Sequence, residues 1–293
     1  MYKRQVSSSG EAVSQTYIQS DVDFVFLSDP TGNSPVPIGA YPSLDVGAGP
    51  ISQLAFTTPT RTFQSDSESS VIRVRTEDQY GNPKNVVSSQ PVDLSTTSAG
   101  GSFSYLGGAS WSTVTAVSIP AGENLVSFYY RDTVVNEPLI TASASSQSWT
   151  DVDQVVTILA GEPVQLVATP EDTTVTAGNF ARVLIKITDI NENPSSASTN
   201  QTVTLMAGGG SFYDKDDHGS TISSILIPAG DTSAEVDYMH TVMNETTGYL
   251  IAFLDADGVA PPLEAFTTMI YVQPAVLDAA SSELSVDLSL IHI

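Results

Sequence analysis

The chain has 293 residues, of which 41% are hydrophobic and 15% charged, and its 33 acidic against 10 basic side chains give a formal net charge of −23. This is the composition of a folded chain with room for two or three domains, and its sign argues against attraction to nucleic-acid phosphates or to an anionic membrane surface. The absence of cysteine excludes a disulfide framework, thiolate catalysis and a cysteine-based zinc site, and there is no run of about 18 apolar residues of the kind a transmembrane helix needs.

Residues 6–49, with "FVFLSDPTGNSPVPIGAYP", align with neither of the units that follow and are left unassigned, with the end of a preceding β domain as one reading. From residue 50 the chain repeats itself. "VSIPAGENLVSFYYRDTVVNEPLI" returns as "ILIPAGDTSAEVDYMHTVMNETTGYLI", with Pro120 and Asn136 answered by Pro228 and Asn244. Upstream, "RVRTEDQYGNP" returns as "LIKITDINENP", and the "GGSF" ending at Phe103 returns at Phe212. The unit is about 110 residues long: 50–161 is a first repeat, 162–272 a second, and 273–287 the start of a truncated third, since "EPVQLVATPEDTTV" is answered by "QPAVLDAASSELSV".

Within each unit the elements read as short strands. In "NLVSFYY" the residues Val126, Phe128 and Tyr130 share one parity, and Ala234, Val236 and Tyr238 do so in the second copy. Alternation of this kind marks half-buried strands, and the aromatic residues are expected in a core. "QYGNP", "SAGGS", "IPAG", "TAGN" and "DADG" supply turn chemistry between strands, and no stretch of 11 or more residues holds a helical period. The expected fold is all-β, a tandem of immunoglobulin-like β-sandwich domains.

A unit that opens "QLVATP", passes an apolar strand into "D..GNP", then "GGGSF", then "IPAG....F.Y.DT....P.ITASA" resembles the bacterial immunoglobulin-like repeats of large surface proteins, the group that includes invasin and intimin domains. The resemblance covers residues from about 50 to 286; Pro83, Gly122, Asp132 and Ile140 stand where that pattern places them. The second copy departs at His240, which replaces the Asp of "RDT", and at the longer "NETTGYLI". The resemblance implies a rod of domains carrying an adhesive or structural surface away from a cell.

The residues offer little to enzymology. There is no G-x-S-x-G elbow, phosphate-cradling glycine loop or H-E-x-x-H, and His218 and His240 have no metal-triad spacing to other ligands. The expectation is a non-enzyme with no required cofactor. Calcium is the one ion with candidate ligands: Asp214, Asp216 and Asp217 in "YDKDDHG", and Asp255 and Asp257 in "DADG", against which stands a solvated acidic hairpin, because hard cations need six to eight oxygens. "DINENP" looks like a cadherin calcium linker, but its counterpart "DQYGNP" lies inside a unit, so both read as one Asn-Pro turn between strands. "NQT" and "NET" are glycosylation sequons, and Trp111 and Trp149 are either sugar-facing or packing residues.

The termini "MYKRQ" (1–5) and "LSLIHI" (288–293) are encodable by DNA strings that are reverse complements and match a transposase adapter, so both are expected to be adapter read-through. The functional expectation is an internal fragment of an exported repetitive surface protein, a stalk or adhesin. Its partners would be neighbouring repeats and a host or cell-surface protein or glycan, and its location extracellular or on the cell surface. The alternatives are immunoglobulin-like domains of a phage or virus structural protein and an accessory module of a secreted polysaccharide-degrading enzyme.

Overall fold

The computed structural model describes residues 22–24, 43–45, 47–256 and 262–275, and the chain divides between Leu159 and Ala160 into two compact units. Both terminal adapter-like segments, most of 6–49 and residues 276–287 of the third repeat lie outside the described residues. Strands β1 (Val22–Phe24) and β2 (Ser43–Asp45) pair antiparallel.

The rest of the first unit is two sheets. Its strands are β3 (Ile51–Phe56), β4 (Arg61–Gln64), β5 (Ile72–Asp78), β6 (Gln90–Thr96), β7 (Ser102–Ser104), β8 (Thr113–Val114), β9 (Ala116–Ile119), β10 (Leu125–Arg131), β11 (Leu139–Ser143) and β12 (Val152–Leu159). One sheet has the order β3-β5-β10-β7-β8 and the other β4-β12-β11-β6-β9. The second unit contributes β13 (Gln165–Pro170), β14 (Thr174–Thr176), β15 (Phe180–Thr188), β16 (Gln201–Ala207), β17 (Ser211–Asp214), β18 (Thr221–Ile222), β19 (Ser224–Ile227), β20 (Ser233–Met239), β21 (Asn244–Asp255) and β22 (Phe266–Gln273). Its orders, β13-β15-β20-β17-β18 and β14-β22-β21-β16-β19, repeat those of the first unit strand for strand. Each unit is an all-β, immunoglobulin-like sandwich, and no helix among the described residues is long and apolar enough to cross a membrane.

Alternation explains the cores. Val126, Phe128 and Tyr130 of β10 are 4%, 0% and 0% exposed, and in β20 Val236 and Tyr238 are fully buried with Ala234 packed against the same cluster. Phe103 meets Phe128 edge-on at 5.8 Å and Tyr130 at 5.0 Å; Phe212 meets Tyr238 at 5.4 Å and Phe253 at 5.9 Å. Offset and edge-on pairs of this kind add to the hydrophobic gain of burial.

The "GGSF" repeat has a steric cause. A Cβ at Gly101 would collide with the Tyr130 hydroxyl, and one at Gly210, where φ is +77°, would lie 2.8 Å from that of Tyr238. A phenol oxygen inside contact distance at both positions, joined at Gly210 by a left-handed backbone, leaves room for glycine alone. "IPAG" recurs for a backbone reason instead: Gly122 and Gly230 turn at φ +85° and +88°, with open space where a Cβ would stand, and donate to Val86 O and Ala197 O.

Both tryptophans of the chain lie in the first unit, so their fluorescence reports its unfolding selectively. Phe128→Ala is expected to lower the stability of that unit by about 3–5 kcal/mol, the cost of a large core cavity, read as a shifted urea midpoint of tryptophan emission.

Candidate functional site

The acidic hairpin between β17 and β18 is closed by its own hydrogen bonds. Asp216 N donates to Asp214 Oδ1 at 2.9 Å, Gly219 N to Asp217 Oδ1 at 2.8 Å, and Lys215 Nζ to Asp216 Oδ2 at 2.7 Å. The three carboxylates are thereby turned to separate donors, and the Asp216 side chain is 76% exposed. Among the described residues no group of three or more His, Cys, Asp or Glu is placed to hold a metal ion. Asp255 accepts from Leu263 N at 3.1 Å, and Asp257 lies outside the described residues.

What the hairpin does carry is a link that linear spacing conceals. His218 Nε2 lies 2.7 Å from Asp237 Oδ2, and Arg182, opposite Asp237 in the β15–β20 register, donates through Nε at 3.1 Å. The imidazole stacks on Phe180 at 3.7 Å, and Tyr213 meets Phe180 edge-on at 5.2 Å. Asp237 therefore sits 3% exposed on the outward parity of β20. Burial raises its carboxyl pKa, but hydrogen bonds and charge from Arg182 and His218 outweigh that and hold it below the ordinary 3.8. With one ring face covered and Nε2 on a carboxylate, His218 clips the hairpin to the sheet.

A second polar cluster sits where the copies differ. In the first unit Asp132, fully buried, accepts from Tyr130 Oη at 2.6 Å, Ser98 Oγ at 2.9 Å and Val134 N at 3.0 Å. Burial and this neighbouring carboxylate push the Tyr130 phenol well above its ordinary pKa. In the second unit His240 takes the place of Asp132: its Nδ1 accepts from Val242 N at 2.8 Å and its ring stacks on Tyr249 at 4.0 Å. Tyr238 turns instead to Gly209 O at 2.7 Å, and burial, then the neighbouring Tyr249, raises its phenol to about 12. The Asp-to-His change is thus a local rewiring of a turn.

"DQYGNP" and "DINENP" form one device. Asp78 Oδ1 accepts from Tyr80 N and Asn82 N at 2.9 and 3.0 Å, and Oδ2 from Asn82 Nδ2 and Gly49 N at 3.0 and 2.8 Å. Asp189 repeats each contact with Asn191 N, Asn193 N, Asn193 Nδ2 and Gly161 N. Burial would raise the Asp78 pKa, but these donors, led by the Asn82 side chain, bring it from 3.8 to about 2. Both carboxylates face protein donors, as an Asn-Pro turn requires and a calcium linker does not.

Both tryptophans are half-buried. The Arg131 guanidinium lies 4.3 Å above the Trp111 ring and reaches Glu68 at 3.5 Å. Trp149 packs against the core and lines a cavity of about 340 Å³ with Gln90 and Gln147, whose amides bond to each other at 3.0 Å. Of the sequon asparagines, Asn200 is exposed, while Asn244 spends its Nδ2 on Gly248 O at 2.9 Å.

A scan against protein-family models gives no match, and a search of curated proteins gives none. Among solved structures the chain is similar to the D0–D1 domain of intimin, with 13% identity and a TM-score of 0.26 over 75% of this chain and 98% of that one. It is similar to the Escherichia coli adhesin FdeC, with 11% identity and a TM-score of 0.35 over 80% and 68%, and to the β-glucuronidase of Parabacteroides merdae, with 12% and 0.29 over 75% and 24%.

Two outcomes are expected in solution. Because the folded-state pKa of Asp78 is depressed to about 2 from 3.8, its stabilising contribution is complete above pH about 4 and is lost as pH falls toward 2; tryptophan-monitored melts should show that loss, and Asp78→Asn should lower stability at neutral pH while shrinking the acid-dependent part. The melting temperature should be equal in millimolar calcium and in chelator; a rise that Asp216→Ala abolishes would instead place a cation on the hairpin.

Proposed function

We propose that the chain is a segment of an exported repetitive surface protein in which the sandwiches act as stalk and adhesive scaffold. The observation that carries this is the duplication itself: ten strands in the same sheet orders in both units, with the same carboxylate-closed turn. Tandem copies of one self-sufficient core are an economical way to gain length, because each copy needs only its own packing and a neighbour. The residue pattern shared with bacterial immunoglobulin-like repeats supports the same reading, as does an Asp–His pair committed to a structural clip.

Partners under this reading are neighbouring repeats and a cell-surface protein or glycan, and the location is extracellular. A stalk bears load, so its units should resist and yield one at a time. Stretching the chain from its ends by atomic force microscopy is expected to give two equal unfolding steps, each releasing about 350 Å at about 3.6 Å per residue, and antibodies to the chain should label intact source cells. Continuous extension without steps, or labelling only after permeabilisation, would contradict the proposal.

A further inference from the structure

The outer face of the sheet β14-β22-β21-β16-β19 is unlike the rest of this acidic chain. Inward positions Ile251, Phe253, Ile270 and Val272 fill the core, so the alternate positions point outward. There Leu250 stands opposite Met269, Met206 opposite Ala252, Leu254 opposite Thr204, and Leu226 opposite Thr202. Leu250, Met206, Leu226 and Met269 are 51%, 54%, 49% and 38% exposed. Threonines fill most remaining outward positions of these strands, and across Leu250–Leu254 and their partners no charged side chain points outward.

The matching sheet of the first unit differs. Its outward positions include Asp153, bonded to Thr141 Oγ1 at 2.6 Å, and Asp93, which accepts from Ser145 Oγ. Two sandwiches of one topology thus carry outward carboxylates in one copy and, across Leu250–Leu254 and their partners, an uncharged, methionine- and leucine-bearing stretch in the other, with Glu245 exposed near the start of β21.

We infer that this face of the second unit is a self-association surface, which pairs with the same face of a second copy of the chain about a two-fold axis. Charge selects the occupant. At a net charge of −23 two copies repel over most of their surface, and close approach is least costly where no carboxylate must be desolvated or set against another. A two-fold contact places this face on itself, neutral against neutral, with every cross-strand pair used twice. Strands about 4.8 Å apart with a rise of about 3.4 Å per residue make the five-stranded face about 20 by 25 Å, so two copies bury about 1,000 Å², the lower bound for a specific interface. The dimer is therefore weak, and salt strengthens it by screening the acidic surroundings.

Sedimentation velocity of the full chain across a concentration series tests this. A monomer–dimer equilibrium is expected, tightened at least about threefold between about 0.05 and 0.5 M sodium chloride. Leu250→Asp should weaken it at least about tenfold, because the two-fold axis sets two new carboxylates close together, and Met206→Lys should act in the same direction. Val155→Asp, an outward substitution on the matching sheet of the first unit, should leave it unchanged. All three sites are exposed, and an unaltered melting curve confirms folding. A monomer at about 1 mM protein in high salt, or a dimer that both Leu250→Asp and Met206→Lys leave intact, overturns the inference without touching the stalk proposal.

Discussion

Each sandwich depends on a carboxylate placed where four N–H groups converge. Asp78 and Asp189 are 1% exposed, a position in which an unpaired charge would be strongly destabilising. The cost is offset because both oxygens of each carboxylate receive charge-assisted hydrogen bonds, two of them from the Asn four residues on. The remaining donors include Gly49 in one unit and Gly161 in the other, so the same group that closes the β5–β6 and β15–β16 turns also anchors the chain segment leading into β3 and β13. A single buried acid thus couples the start of a unit to its interior.

The turn also shows what duplication preserves. Gly81 occupies the left-handed region at φ +83°, and its counterpart Glu192 occupies it at +63°. An L-residue there costs about 1–2 kcal/mol, which the second copy tolerates because the Asp189 network holds the backbone in place. Geometry is retained in preference to residue type. The same holds around the core tyrosines: Asp132 gives way to His240, and Tyr238 finds a carbonyl instead of a carboxylate.

Much of the interior was legible from period-two alternation and turn residues, because strands expose alternate positions to opposite environments. The parity of Val126, Phe128 and Tyr130 placed them in a core, and Asn-Pro, "GGSF" and "IPAG" marked backbone requirements that the φ values and close contacts explain. Parity misled at Asp237, an outward residue that is nonetheless buried, since burial there comes from Arg182 on a neighbouring strand and His218 on a hairpin. That coupling depends on strand register, which spacing along the chain does not reveal. The acidic run 214–217 reads as candidate cation ligands because a count of carboxylates carries no direction; in the fold Asp214 and Asp217 accept from local backbone N–H groups and Asp216 from Lys215 Nζ. The uncharged stretch on the outer face of the second unit was equally hidden, as its residues come from β16, β21 and β22, scattered over 201–273.

The two units share what faces inward and differ in what faces outward, so their common interior carries the architecture and their surfaces carry whatever distinguishes them. Residue-resolved hydrogen exchange on Asp189→Ala tests whether one buried carboxylate organises each sandwich. Amide protection is expected to collapse at Gly161, Asn191 and Asn193 while Gly49, Tyr80 and Asn82, held by Asp78, keep theirs. Unchanged protection at Gly161 and Asn193 in the variant would contradict it.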